Sequence, residues 1–293
     1  MVSVTGHLFG AATFTRDGRP VSLPPASTAL LAYLLLRHGQ PVDRDRLADV
    51  VGESESDAFA RRRLNTAVWR LRRQLEPDGV ARDSVLTSVG HGVAVSPTCE
   101  VWVDAVEFAT TCRHLPPYHR WSDADAERVT RAVALYRGDF LGGTYTDWAL
   151  RERGRLSDLH LQALVGLAEW LRLRGRADDA LEHARAAVAA EPLREDLHRL
   201  VMQLYADAGL PQLAARQLAR CRQLLGDELG VEPLPETVAV ARVSTTMRHP
   251  SAETYDRAIR ELERSDAELR RAAARLRRSL RELRLERERL ARR

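Results

Sequence analysis

The sequence predicts a mainly α chain in three parts: an N-terminal α+β unit, an all-α stretch and a long C-terminal helix. Three observations carry this. Within residues 1–98, short β-type runs are followed by three helical segments and a glycine-centred hairpin. Gly175 and Gly209 stand 34 residues apart and head matching patterns of small residues. From Tyr255 to the last turn, apolar residues recur by fours and threes.

In the first part, Val2 to Leu23 breaks into β-type runs at Gly6, Gly10 and the turn Arg16-Asp17-Gly18-Arg19, and Pro24-Pro25 stops the last strand. This is a small antiparallel sheet. Ser27 to His38 predicts a mostly buried helix ended by Gly39. Asp43 to Val51 predicts a second, with Asp43 as N-cap and Leu47, Val50 and Val51 turned inward. A long third helix runs from about Ser56 to Leu75 and stops at Pro77-Asp78-Gly79. Ser84 to Ser96 then alternates β-branched residues around Gly90-His91-Gly92, as a hairpin would. Sheet, three helices and hairpin in that order make a winged helix.

From Asp104 the composition turns to alanine, leucine and arginine at helical period, interrupted at Pro116-Pro117. Each repeat glycine is followed five residues later by alanine (Ala180, Ala214), then by small or apolar residues at 184/218 and 187/221, and Pro192 closes the first unit. That period is the one at which paired helices of a tetratricopeptide-like array approach through alanine. The expected domains are 1–98, 104–246 and a heptad segment 251–293. The last carries fourteen arginines against nine acids, a net +5 that accounts for the whole chain's +4. It fits a homodimeric coiled coil, a helix packed back on the repeats, or a basic arm on DNA.

The third helix carries the candidate function. Leu64, Val68, Leu71 and Leu75 fall within about 40 degrees of one direction at the helical period, with Ala67 at the margin. The opposite face holds Arg62, Thr66, Trp69 and Arg73, with Arg63, Asn65 and Arg70 on its shoulders. Six arginines lie between Arg61 and Arg73 and no acid lies from Ala58 to Leu75. An ordinary surface helix would interleave carboxylates at i,i+4, so an anion is expected opposite. A helix fits the major groove of double-stranded DNA, where Arg forks onto guanine O6 and N7, Asn pairs with adenine, and Thr meets phosphate or a thymine methyl. Thr87, Ser88 and His91 near the hairpin tip suit phosphate or minor-groove contact, although Gly90 and Gly92 suffice to explain the turn alone. Trp69 suits packing on the wing and contact with the sugar-phosphate edge equally.

Composition narrows the alternatives. The chain contains no lysine, so all 45 basic residues are arginine, a bias that by itself signals nothing about a partner. Cys99, Cys112 and Cys221 are far apart, without metal-ligand spacing, and are expected as free thiols. No signal peptide or apolar membrane span is present in the sequence, so a cytoplasmic, nucleoid-associated protein without membrane contact is expected. No phosphate-cradling glycine loop, GxSxG or HExxH points to an enzyme, and no cofactor or metal is expected. The competing class is a helical-repeat adaptor that binds proteins rather than specific DNA. A nucleotide-sensing regulator is disfavoured by the missing Walker A sequence.

The segments ARRRLNTAVWRLRRQL and LTSVGHGVAVS resemble the OmpR-type winged helix of the Streptomyces antibiotic regulatory protein family. AVALYRGDFLGG, YTDWALRERGRL, EPLREDLHRLVMQLYADAG and CRQLLGDELGVEPLPET resemble that family's bacterial transcriptional activation domain. The resemblance spans roughly Val4 to Thr246. It implies a transcriptional activator, of an antibiotic biosynthesis gene cluster, that binds direct repeats in promoters and recruits RNA polymerase holoenzyme, with the DNA-reading helix at Ala60 to Leu75. Val93 follows Gly92 where the family's wings often carry tyrosine, and the arginine-rich heptad tail lies outside the family pattern.

Overall fold

The computed structural model describes residues 2–52, 57–77 and 79–246. The heptad segment 251–293 expected from the sequence lies outside them. The N-terminal unit contains, in chain order, β1 (Ser3–His7), β2 (Thr13–Arg16), β3 (Arg19–Val21), α1 (Pro25–Leu35), β4 (Val42–Asp43), α2 (Arg44–Val50) and α3 (Asp57–Leu75). It is completed by β5 (Leu86–Val89), β6 (Gly92–Val95) and β7 (Glu100–Val103). The helical unit follows with α4 (Asp104–Cys112), a 3-10 turn, α5 (Asp123–Val133), α6 (Asp147–Leu173), α7 (Ala177–Ala190), α8 (Glu195–Asp207), α9 (Pro211–Leu229) and α10 (Pro235–Thr246).

Two small sheets frame the first unit. One has the order β3-β2-β1-β7, antiparallel except for the parallel pair β1/β7. Its β2–β3 turn places Asp17 and Gly18 at φ 47 and 75, the geometry that Asp-Gly adopts readily. The other has the order β4-β6-β5. The opening sheet is thus not purely antiparallel: β7 was not anticipated, because its four residues run straight into α4 and give no independent pattern. β4 is shorter still. It pairs Val42 with Val93 and Asp43 with Gly92, so Asp43 both extends the wing sheet and caps α2, its carboxylate accepting from Asp45 N at 2.9 Å.

α1 begins two residues earlier than expected because Pro25 stands in the first turn, where its missing N–H costs nothing. It ends earlier too, in a turn closed by Gly39 at φ 77. In the wing, Gly90 takes φ 58, while Gly92 is required by contact: a Cβ there would sit 2.9 Å from the Val42 carbonyl oxygen.

The helical unit consists of stacked helix hairpins. α6/α7 turns at Gly175 and α8/α9 at Gly209, at φ 70 and 71. Of the positions singled out by the repeat, Ala180, Ala184, Ala187, Ala214 and Cys221 are buried where the helices meet, and Leu218 is half-buried.

The units are clamped together. The buried Asp104 carboxylate accepts from the backbone N–H of Leu8 at 2.7 Å and of Phe9 at 3.3 Å. The loop before α6 exchanges backbone hydrogen bonds with Leu8 and Gly10, and Arg153 ties that loop by donating to the carbonyls of Phe140, Leu141 and Thr144 at 2.9 Å. Trp148 stands edge-on to Tyr33 of α1 and donates to the Val50 carbonyl at the end of α2. α3 is therefore held on a platform that includes the helical unit.

Candidate nucleic-acid interface

α3 is amphipathic in the way its sequence requires. Leu64, Ala67, Val68, Leu71 and Leu75 are buried against α1 and α2, whereas Arg61, Arg62, Arg63, Asn65, Thr66, Trp69, Arg70 and Arg73 are exposed. Burying the apolar stripe anchors the helix, at roughly 1.5–3 kcal/mol per large side chain. The outer face is left to solvent.

The arginines divide into two groups. Arg72 turns toward the wing: it bonds Glu76 at 3.3 Å, Asp83 at 2.7 Å and the Ser88 hydroxyl at 3.4 Å. The Glu76 side chain is only 3% exposed and accepts from Val85 N and Leu86 N at 2.8 and 2.9 Å. This cluster fixes the first wing strand to the end of α3. Arg61 sits 3.7 Å from Asp45, with both side chains well exposed, so the acid-free helix nonetheless meets one carboxylate from α2. Among the described residues, Arg62, Arg63, Arg70 and Arg73 have no carboxylate in ion-pair reach.

These four differ in detail. The Arg73 guanidinium lies 5.4 Å from the centre of the Trp69 ring, and Trp69 remains 57% exposed, so the indole is not packed away under the wing. Arg63 folds toward the α2–α3 connection, its guanidinium 3.1 Å from where a Gly52 Cβ would be. Thr66 is exposed and donates its hydroxyl to the Arg62 carbonyl at 3.0 Å. Asn65 accepts from Arg44 at 2.6 Å.

On the wing, Thr87 is half-buried and Ser88 and His91 are exposed. His91 lines a cleft of about 370 Å³ with Asp43, Arg44, Asp45, Arg61, Leu64 and Asn65. The fold thus brings the N-terminus of α2, the first half of α3 and the wing tip to one place. Arg44 was missed from sequence, where it is one more arginine at a helix start. The diversion of Arg72 was legible in principle, since Glu76 follows it at i,i+4.

The three cysteines are free and buried. Burial pushes the thiols of Cys99 and Cys221 up to about 11 and that of Cys112 up to about 12, which suppresses the thiolate. Among the described residues there is no cluster of His, Cys, Asp or Glu fit to hold a metal, and no helix long and apolar enough to cross a membrane.

Two family models match the chain. Residues 18–94 match the C-terminal domain of transcriptional regulatory proteins, and residues 103–243 match the bacterial transcriptional activator domain. The regulatory protein AfsR of Streptomyces coelicolor is 32% identical over 223 residues, covering 75% of this chain but only 22% of AfsR. The transcriptional regulatory protein MoaR1 of Mycobacterium tuberculosis is 28% identical over 214 residues, covering 72% of this chain and 69% of MoaR1. EmbR of Mycobacterium tuberculosis is 27% identical over 234 residues, and this chain spans 60% of its length. A solved structure of EmbR in complex with a low-affinity phosphopeptide matches with a TM-score of 0.66 at 23% identity, covering 91% of this chain and 72% of that one. That match establishes likeness of fold. AfsR is a regulatory protein, and MoaR1 and EmbR are transcriptional regulatory proteins.

Proposed function

We propose that the chain, with its two matched domains and its likeness to AfsR, is a transcriptional regulator of the Streptomyces antibiotic regulatory protein family and a sequence-specific activator that grips promoter DNA with α3. Arg62, Thr66, Arg70 and Arg73 enter the major groove, Arg63 and Trp69 border it, and Thr87, Ser88 and His91 bring the wing to the flanking backbone. The carrying observation is the set of exposed α3 arginines without carboxylate partners among the described residues. Arginine desolvated against phosphate or guanine gains charge-assisted hydrogen bonds that an intramolecular carboxylate would otherwise have occupied.

Two protomers occupy neighbouring direct repeats, and the helical unit, clamped to α1 and α2 by Trp148 and to the segment after β1 by Asp104, positions RNA polymerase holoenzyme. The regulated genes belong to an antibiotic biosynthesis cluster, and the protein acts in the cytoplasm at the nucleoid. Footprinting on the promoters nearest its own gene, with wild type and the Arg73→Ala variant, tests this reading. Protection of two equally oriented half-sites, lost in the variant, is expected. Absence of any protected site, or unchanged protection by Arg73→Ala, contradicts it.

A further inference from the structure

Asn65 lies on the exposed side of α3 next to the buried Leu64, and its amide oxygen is 2.6 Å from a terminal guanidinium nitrogen of Arg44. A guanidinium carries donors only. The atom facing it must therefore be the oxygen, and the usual ambiguity of an amide's orientation disappears. Both backbones are pinned. Arg44 opens α2 immediately after Asp43, which caps that helix and pairs with Gly92 of the wing, and Asn65 is held by its buried neighbour. No other hydrogen bond involves the Asn65 side chain among the described residues, so its NH₂ is the free end.

An asparagine reads adenine by donating to N7 and accepting from the N6 amino group, and the second half requires a receptive oxygen. Here the adenine amino group would bring a second donor to an oxygen already holding a cation. Guanine brings acceptors at both N7 and O6. The Asn65 NH₂ can serve these, and the positive charge of Arg44 favours O6 over an amino group. We infer that Arg44 is a positioning residue that turns Asn65 into a donor-only reader, selecting guanine over adenine at the base pair it faces.

This inference rests on the DNA-binding reading of α3. Its test is selection from a duplex library randomised across the half-site, with the full chain as wild type, Asn65→Ala, Arg44→Met and Arg73→Ala. Asn65→Ala should erase a guanine preference at one position. Arg44→Met, which keeps the aliphatic stem, should shift the guanine-to-adenine ratio at that same position toward adenine by about tenfold, with other positions unmoved. If wild type selects sites that depend on Arg73 but Asn65→Ala leaves every position unchanged, the inference fails alone. A uniform loss of affinity in Arg44→Met, with the ratio kept, also overturns it, because Arg44 would then be only a backbone contact. If wild type selects no sequence, the DNA-binding reading falls and takes the inference with it.

Discussion

The outer face of α3 and the surface of the helical unit are built from the same cation and treat it differently. In the helical unit, six arginines sit opposite acids one turn away: Arg128 with Asp125, Arg131 with Glu127, Arg151 with Asp147, Arg155 with Glu152, Arg172 with Glu169 and Arg176 with Asp179, although the exposed Arg216 and Arg220 of α9 have no ion pair among the described residues. On α3 the exposed arginines from Arg62 to Arg73 have no such partner among the described residues, and the one that turns aside, Arg72, is absorbed by Glu76 and Asp83. In a chain without lysine, arginine density says little. What marks α3 as shaped for an external anion is that four exposed guanidiniums without a carboxylate among the described residues gather on one helix.

The largest expected effect concerns the paired arginine. Glu76→Ala removes a buried carboxylate from two backbone N–H groups and from Arg72, and should cost about 3 kcal/mol of stability. Thermal or denaturant unfolding measures this. A variant as stable as wild type would mean that the wing is not fastened by this cluster. Next, Arg62→Ala and Arg73→Ala should each weaken specific DNA binding by about 1–3 kcal/mol in gel-shift titrations, with the unfolding midpoint unchanged. Wild-type affinity in both would dismiss the groove assignment.

Acid should act on the helical unit through His160. His160 stacks on Tyr136 with ring centres 4.0 Å apart, and burial lowers its pKa from 6.5 to about 4. The folded state thus resists a proton that the unfolded chain accepts. Its contribution is intact above about pH 6.5 and is lost as pH falls toward 4. His160→Phe should flatten that part of the stability profile, and an unchanged slope would show that His160 is not responsible. The smallest effect is a control: Arg131→Ala and Arg151→Ala, which break exposed i,i+4 pairs, should change neither stability nor DNA binding measurably.

Much of this contrast was legible in the sequence because it depends on local spacing. The apolar stripe Leu64, Val68, Leu71 and Leu75, the Asp43 cap and the paired glycines of the repeat are all set within a turn or two of chain. What escaped depends on residues distant in sequence. β7 joins β1 across the whole N-terminal unit, β4 reveals itself only by pairing with β6, and Arg44 meets Asn65 21 residues away. Arg61 likewise looked unpaired until α2 brought Asp45 beside it. For the same reason the expectation that Asn65 pairs with adenine could be formed from residue type alone, and the oxygen's occupation by Arg44 could not.

The most direct test of the central claim is the salt dependence of DNA affinity, compared between one double variant on each surface. For wild type, log K should fall steeply and linearly with log salt as bound phosphates release counterions. Replacing Arg70 and Arg73 by alanine should make that slope shallower, by about 1 for each phosphate contact removed, while replacing Arg131 and Arg151 should leave it as in wild type. Equal slopes for all three proteins, or a change only in the helical-unit variant, would contradict the claim that the unpaired arginines of α3 face the nucleic acid.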